Sequence, residues 1–494
     1  MSAGETAIRN LPAAAAAAAL ATLLIGCGGD SAQPETPVHI DYVAGAIEPV
    51  LTRGEEFVIE GYGFGDDPGL VLFTRTGGGT IESAVADSAW TPFAIAFTVP
   101  DSAAAGRVGF GIETAAGVRV TATINVLPRS TIDPATLTWV SRGTFPGATS
   151  GIALAKAQFP GVGTLPTSLY AVGGAEPPAS VPDSITGRRV YVARVTTGGA
   201  GSIGAWNSSR LLPDARAFAT AVVGTPFNSR FRGNALYVIG GLDSVGRAQS
   251  SVFAADVTAD SVKNPFITLE PLPAARAGAI AVIRHGRIYV LGGTDTLGRP
   301  QNTVFTGRIG ATGRIDGWFT QPALTGPRAY GAGIAREGRV FTIGGVADSV
   351  PPGGGLAPGN QRLVTGDTAA LSRFSGFFTS GWGVGPALLP EGRSQFALFD
   401  LDSILLVVGG VYAGAATNSA EMLAATVVSD SIGPFTGPVG ANRIADLMCQ
   451  TEPAGTLVGP AQVTWQEADG TRRGLLVGGL DLATQARRSC AWGW

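Results

Sequence analysis

Histidine is almost missing from this chain: His39 and His285 are the only two among 494 residues. That nearly excludes His-ligated metal centres and Ser-His-Asp catalysis, so no catalytic residue, metal or cofactor is assigned. Charge is scarce as well. Ionisable acids and bases make up 14% of the residues and balance to a formal −3. With no basic footprint, nucleic acid is not an expected partner. Beyond residue 27 no apolar run is long enough to cross a bilayer. Glycine, in contrast, is abundant: 72 residues, alongside 32 prolines. Together they stay below the share that marks disorder, and a 45% apolar content argues for a folded chain with many turns. That combination points to β structure. The length gives a soft prior of about three domains.

The address is written at the start. Residues 11–26 are apolar apart from Thr22, and Arg9 precedes them. The run is too short to span a membrane but suits a signal peptide, here residues 1–26. It ends Leu24-Ile25-Gly26-Cys27, which resembles a bacterial lipobox with Cys27 as the lipidated residue. A plain secretory signal with an incidental cysteine is the alternative. Asp30 stands one place too late to resemble an inner-membrane retention signal, so an outer-membrane anchor is expected, periplasmic or cell-surface. Residues 27–36 form a polar tether.

Residues 37–128 alternate short β runs with turns, among them Glu56-Phe57-Val58-Ile59 and Leu70-Val71-Leu72-Phe73. This predicts a small β-sandwich. The stretch Gly61-Tyr62-Gly63-Phe64-Gly65, followed by Trp90 and Val99-Pro100, resembles the IPT/TIG immunoglobulin-like family. The resemblance implies a spacer or protein-contact module.

From residue 129 onward the chain repeats. A hydrophobic run ending in Gly-Gly recurs six times, with first glycines at 173, 240, 292, 344, 409 and 478. An aromatic residue precedes an arginine by ten positions in Trp206/Arg216, Phe266/Arg276 and Trp318/Arg328. Looser copies are Phe377/Arg393 and Phe435/Arg443. This pattern resembles the kelch repeat, which implies an all-β chain with a six-bladed propeller behind the immunoglobulin-like sandwich. The last copy lacks its outer strand. Residues 135–141, including Trp139, supply a strand expected to complete it, with Thr149 in the arginine slot of the first blade. In this frame Cys449 falls late on an innermost strand and Cys490 on the third strand of the same blade. Two strand spacings, about 9.6 Å, predict two packed thiols in place of a disulfide.

Arg216, Arg276, Arg328, Arg393 and Arg443 begin the innermost strands and would ring one channel mouth. Kelch adaptors use such arginines for acidic peptides, which is what the resemblance implies for a ligand here. Alternatively each arginine is held by its own blade: paired positions put Arg276 opposite Asp295, and Arg328 opposite Ala347 beside Asp348. His285-Gly286 reads as a hairpin turn. Long loops at 175–187 and 346–361 open on the same face. The leading expectation is a lipid-anchored, monomeric binding or scaffold protein for a protein or glycan. Alternatives are an enzyme acting on a carboxylated sugar, similar to a sialic-acid mutarotase, with Glu176 and Glu391 as isolated acids, and a structural part of an outer-membrane assembly.

Overall fold

A computed structural model describes residues 37–44, 49–130, 132–159, 166–175, 187–196, 201–224, 234–284, 286–336, 338–350, 361–412, 421–428, 431–439, 459–480 and 488–494. The signal peptide, Cys27, the tether, Glu176, His285, Arg443 and Cys449 lie outside them, as do most of the two long loops. The described chain is all-β, with two short 3-10 turns, Asp87–Ala89 and Pro134–Thr136, among its strands.

The first ninety residues build two sheets around one core. Three strands, His39–Val43, Glu56–Tyr62 and Ala94–Thr98, form one sheet. Five strands from Val50 to Leu127 form the other, with Val50–Thr52 parallel to Arg119–Leu127. Phe64, Phe73, Trp90, Phe97 and Phe110 fill the space between. The glycine-rich stretch exists to bury Phe64. Gly63 and Gly65 take positive φ on either side of it, and its carbonyl accepts the Trp90 indole N–H at 3.3 Å.

The remaining chain forms six four-stranded antiparallel sheets. Their innermost strands are Ala153–Gln158, Thr220–Gly224, Ile280–Arg284, Ala332–Arg336, Ala397–Asp400 and Ala461–Gln466. Each touches the next, and the sixth touches the first, so the sheets close into a β-propeller. Six hydrophobic clusters lie between neighbouring sheets, one per junction. The second strands face a cluster on both sides, which explains their nearly continuous burial and apolar character. Tyrosines on three of these strands cross the junctions. The hydroxyl of Tyr237, for example, donates to the carbonyl of Gly313 in the next sheet at 2.8 Å.

The closing strand differs from the expected one. Arg488–Gly493 pairs with Val140–Thr149, so of the expected strand 135–141 only Val140 and Ser141 take part. Pro134 starts a 3-10 turn, and Asp133 caps it by accepting from the Ala135 N–H, so the chain cannot be extended there. Trp139 enters as a plug between the fifth and sixth sheets, against Phe399 and Trp494. The sixth innermost strand also starts later than the sequence implied, at Ala461. Cys449 precedes it by twelve positions, so the strand-spacing argument used the wrong segment. Cys490 is disulfide-bonded, with its partner outside the described residues.

The Gly-Gly pairs hold the ring together. The second glycine N–H donates to the arginine-slot carbonyl of the following sheet at 2.7–2.9 Å: Gly174 to Arg216, Gly241 to Arg276, Gly293 to Arg328, Gly345 to Arg393 and Gly479 to Thr149. The first glycine must have no side chain. A Cβ on Gly292 would run into the Arg328 carbonyl, and φ there is +62°. Gly338, in a hairpin turn at φ +75°, has open space around it. Gly338→Ala should therefore cost only the left-handed penalty, about 1–2 kcal/mol. Gly292→Ala should lose about 1–3 kcal/mol more through the forced displacement. Denaturation midpoints of the two variants check the difference.

Candidate functional site

The channel has two ends with different chemistry. At the strand-start end, Arg216, Arg276, Arg328 and Arg393 occupy equivalent corners, each four residues before its innermost strand. All four are buried, 2–4% exposed. Their side chains run outward across their own sheets toward the third strand. Arg276 donates to the Ala275 carbonyl and the Thr303 hydroxyl, with its guanidinium over Phe305. Arg216 lies over Phe253. Arg393 donates to the Gly409 carbonyl at 2.9 Å, 4.0 Å from Glu421. Arg328 reaches the carbonyls of Gly344 and Thr365 and pairs with buried Asp367 at 3.3 Å. Burial holds all four guanidinium groups below their usual value.

The expected acids are therefore not the partners. The backbone register does continue past Arg276, since Ala277 bridges Thr294. Asp295, however, turns its carboxylate onto its own loop, accepting from the N–H groups of Leu297 and Arg299 at 2.8 and 2.9 Å. Asp348 likewise accepts from the Gln361 N–H. Arg443, outside the described residues, precedes the sixth innermost strand by eighteen residues, against four at the other corners. Glu391 is exposed beside the Arg393 corner.

Two residues beyond each slot lies a second ring. Phe218 donates its N–H to Gly151, Gly278 to Phe218, Tyr330 to Gly278, Gln395 to Tyr330 and Gly459 to Gln395, all at 2.8–2.9 Å. All six members have positive φ, including the non-glycine Phe218, Tyr330 and Gln395 at 51–54°. Such strain persists only where the surroundings over-determine it. The rings of Phe218 and Tyr330 lie over Gly151 and Gly278, 5.5 Å apart and edge to face.

At the strand-finishing end the sandwich is docked over the channel. Val38–Trp494 form one compact unit. Arg472 of the sixth sheet pairs with Glu55 of the sandwich at 3.6 Å and with Asp402 and Asp400 of the fifth. Arg336 bonds Asp400 at 3.0 Å. Arg373 holds Glu56 at 3.3 Å, and Gln466 donates to the Pro128 carbonyl at 2.6 Å. The sandwich is thus a cap on the channel and not a free-standing spacer. Adjacent acids at the start of its third strand find a ring that ends in arginines. Burial pushes the Glu55 carboxyl up against the opposing pull of Arg472.

Beneath this cap is a cavity of about 250 Å³, lined by Glu55 and Thr52 of the sandwich and by the ends of five innermost strands and one second strand. Lys156, Gln158, Arg284, Arg336, Asp400, Trp465 and Arg472 reach it. Lys156 is exposed by accessible surface and lines the cavity. Burial, then the nearby Arg472, lowers its amine to about 8, with Asp400 and Glu55 opposing. Sequence reasoning missed this residue. The available signal was composition: Lys156 and Lys263 are the only lysines among 34 basic residues, and Lys156 interrupts an Ala-Leu-Ala-Lys-Ala-Gln strand.

The arginine corners differ in what they leave behind when removed. Arg328→Met strands the Asp367 carboxylate, buried and held otherwise by the Thr325 hydroxyl, and should cost about 3–5 kcal/mol. Arg276→Met gives up bonds to neutral groups and should cost about 1–3 kcal/mol. Adding Asp367→Asn should recover part of the first loss. Denaturant unfolding of the three variants measures the order.

No family model matches the chain, and no curated protein matches it. A solved structure titled "Structure of YjhT" is similar over 70% of this chain and 95% of its own, at 14% identity and a TM-score of 0.48.

Proposed function

We propose that this is a lipid-anchored extracytoplasmic binding or scaffold protein. In this reading Cys27 carries the anchor at the outer membrane, an immunoglobulin-like sandwich of the IPT/TIG kind follows, and a six-bladed kelch-type propeller presents the ligand face. The ligand is a protein or a glycan. One observation carries the reading. On the strand-start face, two neighbouring loops repeat a single rigid template, Asp243 to Arg247 and Asp295 to Arg299. In each, the aspartate accepts two backbone N–H bonds and one from a glutamine side chain. Each displays an exposed aliphatic side chain, Val245 at 67% and Leu297 at 64%, with an exposed arginine two residues on. Stiff loops that hold apolar tips in water on one propeller face suit recognition. The buried arginines below supply the rigid base.

The anchor and the face are tested separately. Cys27→Ser should move the protein from carbonate-washed membranes to the soluble fraction, since the acyl chains supply the membrane affinity. Retention of that variant in the pellet would reject the lipid site. On an array of glycans and extracytoplasmic proteins, Val245→Asp with Leu297→Asp should weaken any hit by about tenfold or more, equivalent to 1.4 kcal/mol. Arg276→Met should leave it unchanged. The reverse pattern would return recognition to the arginine mouth.

A further inference from the structure

On the described lining of the cavity at the capped end, basic side chains outnumber acidic ones. Its lining includes Lys156, Arg284, Arg336 and Arg472 against Glu55 and Asp400. Both acids are already engaged: Asp400 by Arg336 and Arg472, and Glu55 by Arg472. Asp402, just behind, is held by Arg472 and by the Ser130 N–H. Lys156 makes no hydrogen bond or ion pair among the described residues. Asp400 and Glu55 act on this ammonium only at a distance, since neither forms an ion pair with it.

We propose that this cavity is a binding site for a small oxyanion, a carboxylate or phosphate group, with Lys156 as its principal ligand-binding cation. The site is separate from the loop face and stands whether or not that reading holds. A volume of about 250 Å³ admits inorganic phosphate or a short carboxylic acid, but not a peptide or an oligosaccharide. Gln158 and Thr52 add neutral polar groups to the same wall. Because Thr52 and Glu55 belong to the sandwich and Lys156 to the ring, an anion bound here also ties the two domains together.

Protonation follows from the same geometry. The groups around Lys156 are Glu55 from the sandwich, Arg284 and Arg336 from the third and fourth sheets, Asp400 from the fifth and Arg472 from the sixth. A bound anion favours the charged amine and so raises its titration midpoint. Affinity is then highest below about pH 8, where the free amine is already protonated, and falls as the pH rises further.

With only two lysines, the full chain labelled with ¹³C at lysine Cε gives one reporter at Lys156 and an internal control at Lys263. Inorganic phosphate and malonate are titrated separately at constant ionic strength. We expect the Lys156 midpoint, near 8 without ligand, to rise by about one unit or more with at least one anion, while Lys263 stays put. A response to phosphate alone or to malonate alone supports the site and identifies which source it prefers. Calorimetry on Lys156→Met should show the binding weakened about tenfold or more, with Lys263→Met unchanged. If Lys156→Met does not fold, the wild-type titration decides on its own. A Lys156 signal indifferent to both anions up to about 50 mM, a threshold near which affinities are too weak to matter, would overturn the proposal. So would a Lys156→Met protein that binds them as well as the wild type.

Discussion

The whole ring hangs on one backbone hydrogen bond that only glycine allows. At the end of each second strand the chain turns through two successive positive-φ residues, and the second N–H leaves its own sheet to bond the next. The acceptor carbonyl belongs to the slot residue, whose own N–H returns a bond to the preceding sheet: Arg276 to Gln249 and Arg328 to Gln301, both at 3.0 Å. Each slot residue is thereby fixed at both backbone ends by its neighbour. Its side chain is then free to tie its own first and third strands together. Arginine suits that task because its long stem packs over Phe253 or Phe305 while several donors reach carbonyls and hydroxyls at once. An arginine used this way is committed to architecture.

The Gly-Gly period was legible because a steric requirement on the backbone leaves a residue type behind. The direction of the arginines was not. At the start of an inner strand a side chain can point along the axis or across the sheet. The choice rests on Ser251, Thr303 and Asp367, none of which stands at an obvious spacing. Arg443 lies outside the described residues, and the sixth innermost strand starts eighteen residues after it, at Ala461. Gly459 was the better guide, since Gly151 and Gly278 stand in the same place, two past the slot. Their counterparts Phe218, Tyr330 and Gln395 give no such sign. Those residues adopt a glycine-like conformation because the ring of amide bonds imposes it.

The docked sandwich was illegible for a different reason. Electrostatic partners across domains are set by which strand ends meet, and sequence distance carries no trace of that. Glu56 opens the β run Glu56-Phe57-Val58-Ile59, and nothing in that run points to Arg373 or Arg472. Only the closed ring brings Arg336, Asp400, Asp402 and Arg472 to the same end of the channel. Partly buried ion pairs add little net stability, but an unmatched one is heavily penalised. The network therefore acts on orientation: any rotation of the sandwich would separate Glu55 from Arg472 and Glu56 from Arg373.

The two ends of the same inner strands thus satisfy their charges in opposite ways. At the strand starts, the four slot arginines find their side-chain hydrogen-bond partners inside their own sheets. At the strand finishes, Arg472 and Arg373 are completed by carboxylates from the sandwich, so the geometry there depends on a second domain. Stability and adaptability are separated along the channel axis as a result. The start end is locked by amide-to-carbonyl rings that tolerate no side chain at the glycines. The finish end is held by polar contacts across a seam, with a cavity of about 250 Å³ behind them. A change in solvent or in a bound solute acts on the seam first, because charge-charge contacts respond to such changes while the Gly-Gly corners, bonded backbone to backbone, do not.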